Sequence, residues 1–297
     1  MPLKEFKAKL LPELKEINLF LKRNLLSSSL SGEMISSLKG RGIEFEDYRD
    51  YSVEDDASRI DWIASKRSQR TLVREYKLEV NFKVFFLIDV SESMLFGSTK
   101  LLKCEYAAQV ACTFFYGLIQ SGNSIGYGLF NENLVKISLP EMGKKKFYNF
   151  TKDISNPLIY GENKNIGKAI QSAMKFVEKK SLFIIISDFI LPDESWIEFL
   201  KILATKNEVI GISIRDPRDY ELIDVGNMIL EDPFSNDKIY INTKDYSKLY
   251  KEYNEKNLRF IKSAFTNNKS SFLELKTTDN YLNKMVEFFR SKGIRWR

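Results

Sequence analysis

The sequence predicts an α/β fold: a doubly wound, mostly parallel sheet of Rossmann type, carrying a small N-terminal helical and β-rich appendage. Three observations predict it. From Lys83 onward, short apolar runs alternate with longer segments in which apolar residues recur at three and four spacing, the rhythm of parallel strands joined by crossover helices. The strand runs are apolar at consecutive positions, as strands covered on both faces must be. Two of them end in an acidic residue, at Asp89 and at Ser187-Asp188, and ligands of open α/β sheets bind outside the carboxyl ends of strands. At 297 residues the chain has room for one large core or two modest ones. Two parts are expected: residues 1–80, an N-terminal helix plus a charged segment, and residues 81–297, the α/β domain with a C-terminal extension.

From Leu10 to about Leu26, leucines and isoleucines fall on one helical face, with Pro12 near the start where proline suits a first turn. Ser27 to Gly32 reads as a loop. Residues 40–80 are dense in both charge signs and in aromatics, and are expected to form short strands and turns fixed by polar contacts. Glu44, Arg49, Asp55, Asp56, Arg59, Asp61 and Trp62 stand out there. Arginines and carboxylates in such alternation suit bidentate internal ion pairs; the alternative is a surface on which a partner docks.

The regular pattern begins with a strand at Lys83–Ile88 and a helix over 100–120, whose apolar stripe includes Cys104 and Cys112. Both cysteines are expected as reduced thiols in one core. Ser124–Phe130 and Leu134–Leu139 read as a hairpin toward one sheet edge, turned by Asn131-Glu132-Asn133, residues that tolerate left-handed geometry. A helix at Ile166–Lys179, a strand at Ser181–Ile186, a helix at about Glu194–Thr205 and a strand at Glu208–Ile214 follow. A hairpin within Met228–Ile241, a long helix at Tyr246–Thr266, a strand at Ser271–Leu275 and a helix at Asn280–Ser291 close the domain.

Composition removes many chemistries. There is no histidine, so a Ser-His-Asp triad, a His-ligated zinc and a His general base are excluded. No phosphate loop, dinucleotide fingerprint or Cys-x-x-Cys pair is present. The net charge of +6 comes from lysines spread along the chain, a weak sign of nucleic-acid binding. Glu5, Glu13 and Glu16 in the first twenty residues, with no small-residue cleavage site, argue against a signal peptide. The most apolar run, Leu182–Leu191, is too short for a bilayer and is interrupted by Asp188. A cytoplasmic location is expected.

The constellation with most chemistry in it is Asp89-Val90-Ser91-Glu92-Ser93 at the end of the first buried strand. A carboxylate and two hydroxyls suit a hard cation that takes octahedral oxygen ligands, Mg²⁺ or Mn²⁺. Adjacent parallel strands would carry Asp188 to the same rim. Asp89, Ser91, Ser93 and Asp188 are therefore the candidate metal ligands. The plainer alternative is that Asp89 and Ser91 cap the following helix.

Gly42-x-Glu44-Phe45-x-x-x-Arg49-x-Tyr51, Asp55-Asp56-x-x-Arg59-Ile60-Asp61-Trp62, Asp89-x-Ser91-x-Ser93-Met94, Ser187-Asp188-Phe189 and Arg215-Asp216-Pro217 together resemble a bacterial family called domain of unknown function 58. That family is a branch of the von Willebrand factor A-like proteins, often encoded beside MoxR-type AAA+ ATPases. The resemblance covers roughly residues 40–290. It implies a von Willebrand factor A-like fold, a metal-ion-dependent adhesion-like site and a protein partner, a MoxR-type ATPase, in chaperone-like assembly or envelope maintenance.

Two departures from the pattern stand out. Glu54 replaces a glycine before the paired aspartates, which bears on one turn. In the related metal sites a loop threonine adds a hydroxyl just ahead of a helix like Asn165-Ile166-Gly167-Lys168; here Lys164 stands there. An ammonium has no lone pair to give. Beside a divalent ion it adds repulsion of about 2 kcal/mol even at water's dielectric, twice the unit-charge value at 4 Å. Either Lys164 turns away, or Asn163 or Asn165 supplies an oxygen, or tight metal binding is impaired.

The resulting expectation is a non-enzymatic adaptor. A metal-dependent hydrolase with Glu92 as base is the first alternative, and a salt-sensitive binder of nucleic acid or membrane surface the second.

Overall fold

A computed structural model describes residues 44–52, 60–77, 83–120, 122–177, 181–190, 195–231 and 238–292. The expected helix at 10–26 and loop at 27–32, together with Glu54, Asp55, Asp56 and Arg59, lie outside the described residues. The charged segment supplies two antiparallel strands, β1 (Glu44–Asp50) and β2 (Leu72–Lys77), with a short helix, α1 (Trp62–Ser68), between them. That helix replaces part of the strands and turns expected here. Its cause is local: the Asp61 carboxylate accepts from Ile63 N at 3.0 Å and Ala64 N at 3.1 Å, satisfying the donors that a helix start leaves open.

The remaining strands are β3 (Lys83–Asp89), β4 (Ser124–Phe130), β5 (Leu134–Glu141), β6 (Leu182–Ser187), β7 (Glu208–Arg215), β8 (Asn227–Glu231), β9 (Lys238–Asn242) and β10 (Ser271–Lys276). Six of them form one sheet in the order β10-β7-β6-β3-β4-β5. All neighbours in it are parallel except the β4–β5 pair at one edge. The expected edge hairpin is therefore present, but its turn closes differently. None of Asn131, Glu132 and Asn133 has a positive φ. Instead Asn133 N donates to the Asn131 side-chain oxygen at 3.1 Å, and Asn131 N to Asn133 O at 3.0 Å, the local hydrogen bonding by which asparagine makes turns.

The helices are α2 (Lys103–Gln120), α3 (Lys144–Ile154), α4 (Ile166–Ala173), α5 (Trp196–Lys206), α6 (Thr243–Asn267) and α7 (Tyr281–Lys292). The two faces of the sheet carry separate cores. Val84, Phe86 and Ile88 of β3 join one with residues of α2, α3 and α7, while Phe85 and Leu87 join the other with residues of α4, α5 and α6. This is the strand's period of two placed between helical layers. Phe115 of α2 stacks on Phe150 of α3 at 4.3 Å and 7°; such pairs add about 0.5–1.5 kcal/mol beyond the area they bury.

Helix α3 has no counterpart among the elements expected from the sequence, because three lysines at its start, Lys144-Lys145-Lys146, break the apolar pattern. Only Lys146, Phe150 and Ile154 are buried, a narrow i, i+4, i+8 stripe. Helix α4 ends at Ala173, earlier than its expected Lys179: Lys175 N and Phe176 N donate to carbonyls three residues back, which tightens the chain out of the α pattern. Among the described residues, strands β8 and β9 pair only with each other, as a hairpin beside the main sheet. Cys104 and Cys112 are both buried on α2 as free thiols.

Candidate functional site

The strand order fixes where a site belongs. The chain leaves β3 for β4 on one side and later returns through β6 on the other, so the order reverses between β3 and β6, where open α/β sheets bind ligands. Those two strands end in Asp89 and in Ser187-Asp188. The structure brings Asp89, Ser91, Ser93 and Asp188 to one rim.

Asp89 is 1% exposed. One of its oxygens accepts Ser91 N at 2.8 Å and the other accepts Ser187 Oγ at 2.6 Å. Ser91 Oγ and Ser93 Oγ share a hydrogen bond at 3.3 Å, and a single 3-10 turn, Glu92–Leu95, follows. Its Met94 is buried in the core beneath. Asp188 is fully buried. It is presented by a sharp turn in which Phe189 adopts φ 50°, a conformation costly for a bulky residue. Packing of the Phe189 ring against Trp196, Phe265 and Phe272 holds it there.

Two lysines converge on Asp188. Lys103, the first residue of α2, donates from Nζ to Asp188 Oδ2 at 2.7 Å and to Asp219 Oδ2 at 3.2 Å. Lys164 Nζ donates to Asp188 Oδ1 and, at 2.9 Å, to Ser93 Oγ. Asp219 arrives by the turn at the end of β7, where Asp216 N donates to its carboxylate at 2.8 Å. Thus the Arg215-Asp216-Pro217 segment serves to deliver a second counter-charge to Lys103.

Burial works against charge on Asp188, but Lys103 and Lys164 outweigh it and hold the carboxyl far below the usual range. Burial also raises Asp89, with Lys164 pulling it down and Asp188 pushing it up; the balance is a raised value. Burial disfavours the Lys103 ammonium, yet Asp188 and Asp219 more than compensate and raise its pKa. Asp219 ends above its ordinary value because burial exceeds the help from Lys103, in keeping with its longer contact.

The metal expected from the sequence meets a donor set arranged for ammonium groups. Both Asp188 oxygens are engaged by lysines, and both Asp89 oxygens by neutral donors. A divalent ion bridging Asp188 and Ser93 would lie against Lys164 Nζ. These residues, so placed, do not fit Mg²⁺ or Mn²⁺. Of the two asparagines, Asn165 uses its side-chain oxygen to cap α4, accepting Lys168 N at 2.8 Å, and Asn163 is exposed.

Lys103 and Asp219 were not found by sequence reasoning. The signal was available: Lys103 lies in register with Ala107, Val110 and Phe114, all buried, so a lysine on an apolar stripe needed an acidic partner. In the charged segment, Asp61 is buried at the head of α1 and accepts from the Tyr48 hydroxyl at 3.0 Å, a structural engagement. Its neighbour Trp62 is 70% exposed. Glu44 pairs opposite Lys77 and Arg49 opposite Val73 in the β1–β2 ladder.

A family described as protein of unknown function DUF58 matches residues 47–260. The chain belongs to the DUF58 family. An uncharacterised protein of Mycobacterium tuberculosis strain H37Rv is 27% identical over 226 residues, spanning 75% of this DUF58 chain and 71% of the relative. Among solved structures, the conserved hypothetical protein BatB of Bacteroides thetaiotaomicron is similar at TM-score 0.48 and 18% identity, covering 72% of this chain and all of that one. A von Willebrand factor type A protein of Catenulispora acidiphila is similar at TM-score 0.42 and 11% identity, covering 75% and 44%. Among the described residues, no helix of this DUF58 protein is long and apolar enough to cross a membrane.

Proposed function

We propose that this DUF58 protein is a non-enzymatic adaptor that docks a protein partner on the rim formed by the carboxyl ends of β3 and β6. The partner that the family resemblance points to is a MoxR-type AAA+ ATPase. The observation that carries the reading is the switch-point rim itself. Its polar side chains hydrogen-bond one another, while the surface around them is open: Phe96 is 47% exposed, and Glu162 and Asn163 on the neighbouring loop are exposed. An aromatic side chain beside fixed polar groups is the composition of an interface hot spot. Lys103 Nζ lies 5.8 Å from the centre of the Phe96 ring, so the exposed aromatic is coupled to the buried charges. The buried carboxylates favour binding over hydrolysis: Asp188 is fixed by two ammonium groups, and Asp89 by two donors of the protein itself.

Capture of the tagged protein from its own lysate tests this, with Asn163→Arg as the rim variant. Recovery of an AAA+ ATPase with the unmodified protein, and its loss with Asn163→Arg, is expected. Equal recovery with both would move the docking surface elsewhere, and recovery of no ATPase would remove the partner.

A further inference from the structure

Lys164 is positioned by backbone, not by its side chain alone. On one side Glu92 N donates to Glu162 O at 3.0 Å and Gly161 N to Val90 O at 3.0 Å; on the other, Asn165 N donates to Asn131 O at 2.9 Å. The loop is thus tied to the ends of both β3 and β4. Gly161 at φ 134° and Glu162 at φ 61° turn it so that the lysine enters the rim, where its side chain is 9% exposed. An ammonium offers three donors and no acceptor, and this one meets a hydroxyl and a carboxylate, the two kinds of oxygen expected to hold a divalent ion. Three carboxylates (Asp89, Asp188, Asp219) against two ammonium groups leave a formal charge of −1. A divalent ion would turn that to +1, with a lysine in contact with it.

We infer that the Lys164 ammonium is the resident cation of this rim, taking the place of a divalent metal between Ser93 and Asp188, so that the site is complete without Mg²⁺ or Mn²⁺. The inference concerns the chain alone and stands or falls independently of whether the rim docks a partner.

Two consequences are measurable on the full chain. The unmodified protein's thermal midpoint is the same in EDTA and in Mn²⁺, and a Mn²⁺ titration followed by electron paramagnetic resonance shows no binding that weakens in Ser93→Ala. Lys164→Thr supplies a hydroxyl and removes the charge. It should lose stability in EDTA, regain it in Mn²⁺, and bind Mn²⁺ about thirtyfold or more tighter than the unmodified protein, which is about 2 kcal/mol at 1.4 kcal/mol per factor of ten. Lys164→Gln, with a carbonyl oxygen in place of the ammonium, gives a second uncharged variant for the same comparison. Mn²⁺ binding by the unmodified protein that weakens in Ser93→Ala overturns the inference. So does failure of both uncharged variants, once folded, to gain any affinity.

Discussion

Replacing Lys103 by Met removes a charge while keeping a side chain of similar shape, and it isolates the buried network that supports the rim. The Lys103 side chain is 2% exposed and its Nζ serves Asp188 at 2.7 Å and Asp219 at 3.2 Å. Without it, Asp188 keeps Lys164, but Asp219 loses its ammonium in a buried position. Removing one partner of a buried ion pair costs about 3–5 kcal/mol, because the other charge is left uncompensated. In a domain of this size each kcal/mol lowers Tm by about 2–4 °C, so a fall of roughly 6–20 °C is expected. Urea denaturation followed by circular dichroism measures the free energy, and Asp219→Asn in the Lys103→Met background should recover about 1 kcal/mol or more as coupling. A single-variant loss below about 1 kcal/mol, or additivity of the two substitutions, would refute the network.

Two further outcomes are expected. A Cβ added at Gly211 of β7 would lie 2.4 Å from the Phe265 ring, so Gly211→Ala should cost about 1–3 kcal/mol by overpacking, read by the same denaturation; a neutral result would mean that α6 is not seated on β7 as described. Burial raises the pKa of Tyr106, Tyr127, Tyr160, Tyr220, Tyr250 and Tyr281 and of the Cys104 and Cys112 thiols, and the Asp188 and Asp219 charges, outweighing burial, raise Lys103. All of these hold protons more tightly when folded. Their contribution is therefore complete below the unfolded values, and stability should fall as pH rises past about 8.5 for the thiols and about 10 for the tyrosines and Lys103. Flat stability from pH 8 to about 11 would contradict this.

The sheet was legible because its strands are buried on both faces: an uninterrupted run such as Leu182–Ile186 has few other readings, and Asp89 and Asp188 at strand ends follow from parallel topology alone. Convergence on one rim was conditional on the two strands being neighbours, which the strand order, and not the sequence, supplies. Helix α3 was not legible, because three consecutive lysines obscure a stripe of three buried side chains. Helix α1 depends on one capping carboxylate, a signal hard to tell from a turn. Lys164 was recognised as a departure, but its direction depends on two positive φ angles in a loop, and no periodicity encodes them. Lys103 and Asp219 lie 116 residues apart, and their pairing exists only once β7 has delivered its turn to the start of α2.

The most direct test is a titration of a purified MoxR-type AAA+ ATPase, the proposed partner, against the unmodified protein and against Phe96→Ala, each in Mg²⁺ and in EDTA with nucleotide held constant. Phe96→Ala is expected to weaken binding at least about tenfold, the 1.4 kcal/mol or more lost when an aromatic that a partner covers is truncated. No change in this protein's affinity between Mg²⁺ and EDTA is expected beyond what the nucleotide-bound ATPase itself requires. Binding unaffected by Phe96→Ala would contradict the rim as docking surface, and an Mg²⁺ requirement traced to Ser93 would contradict a rim completed by Lys164.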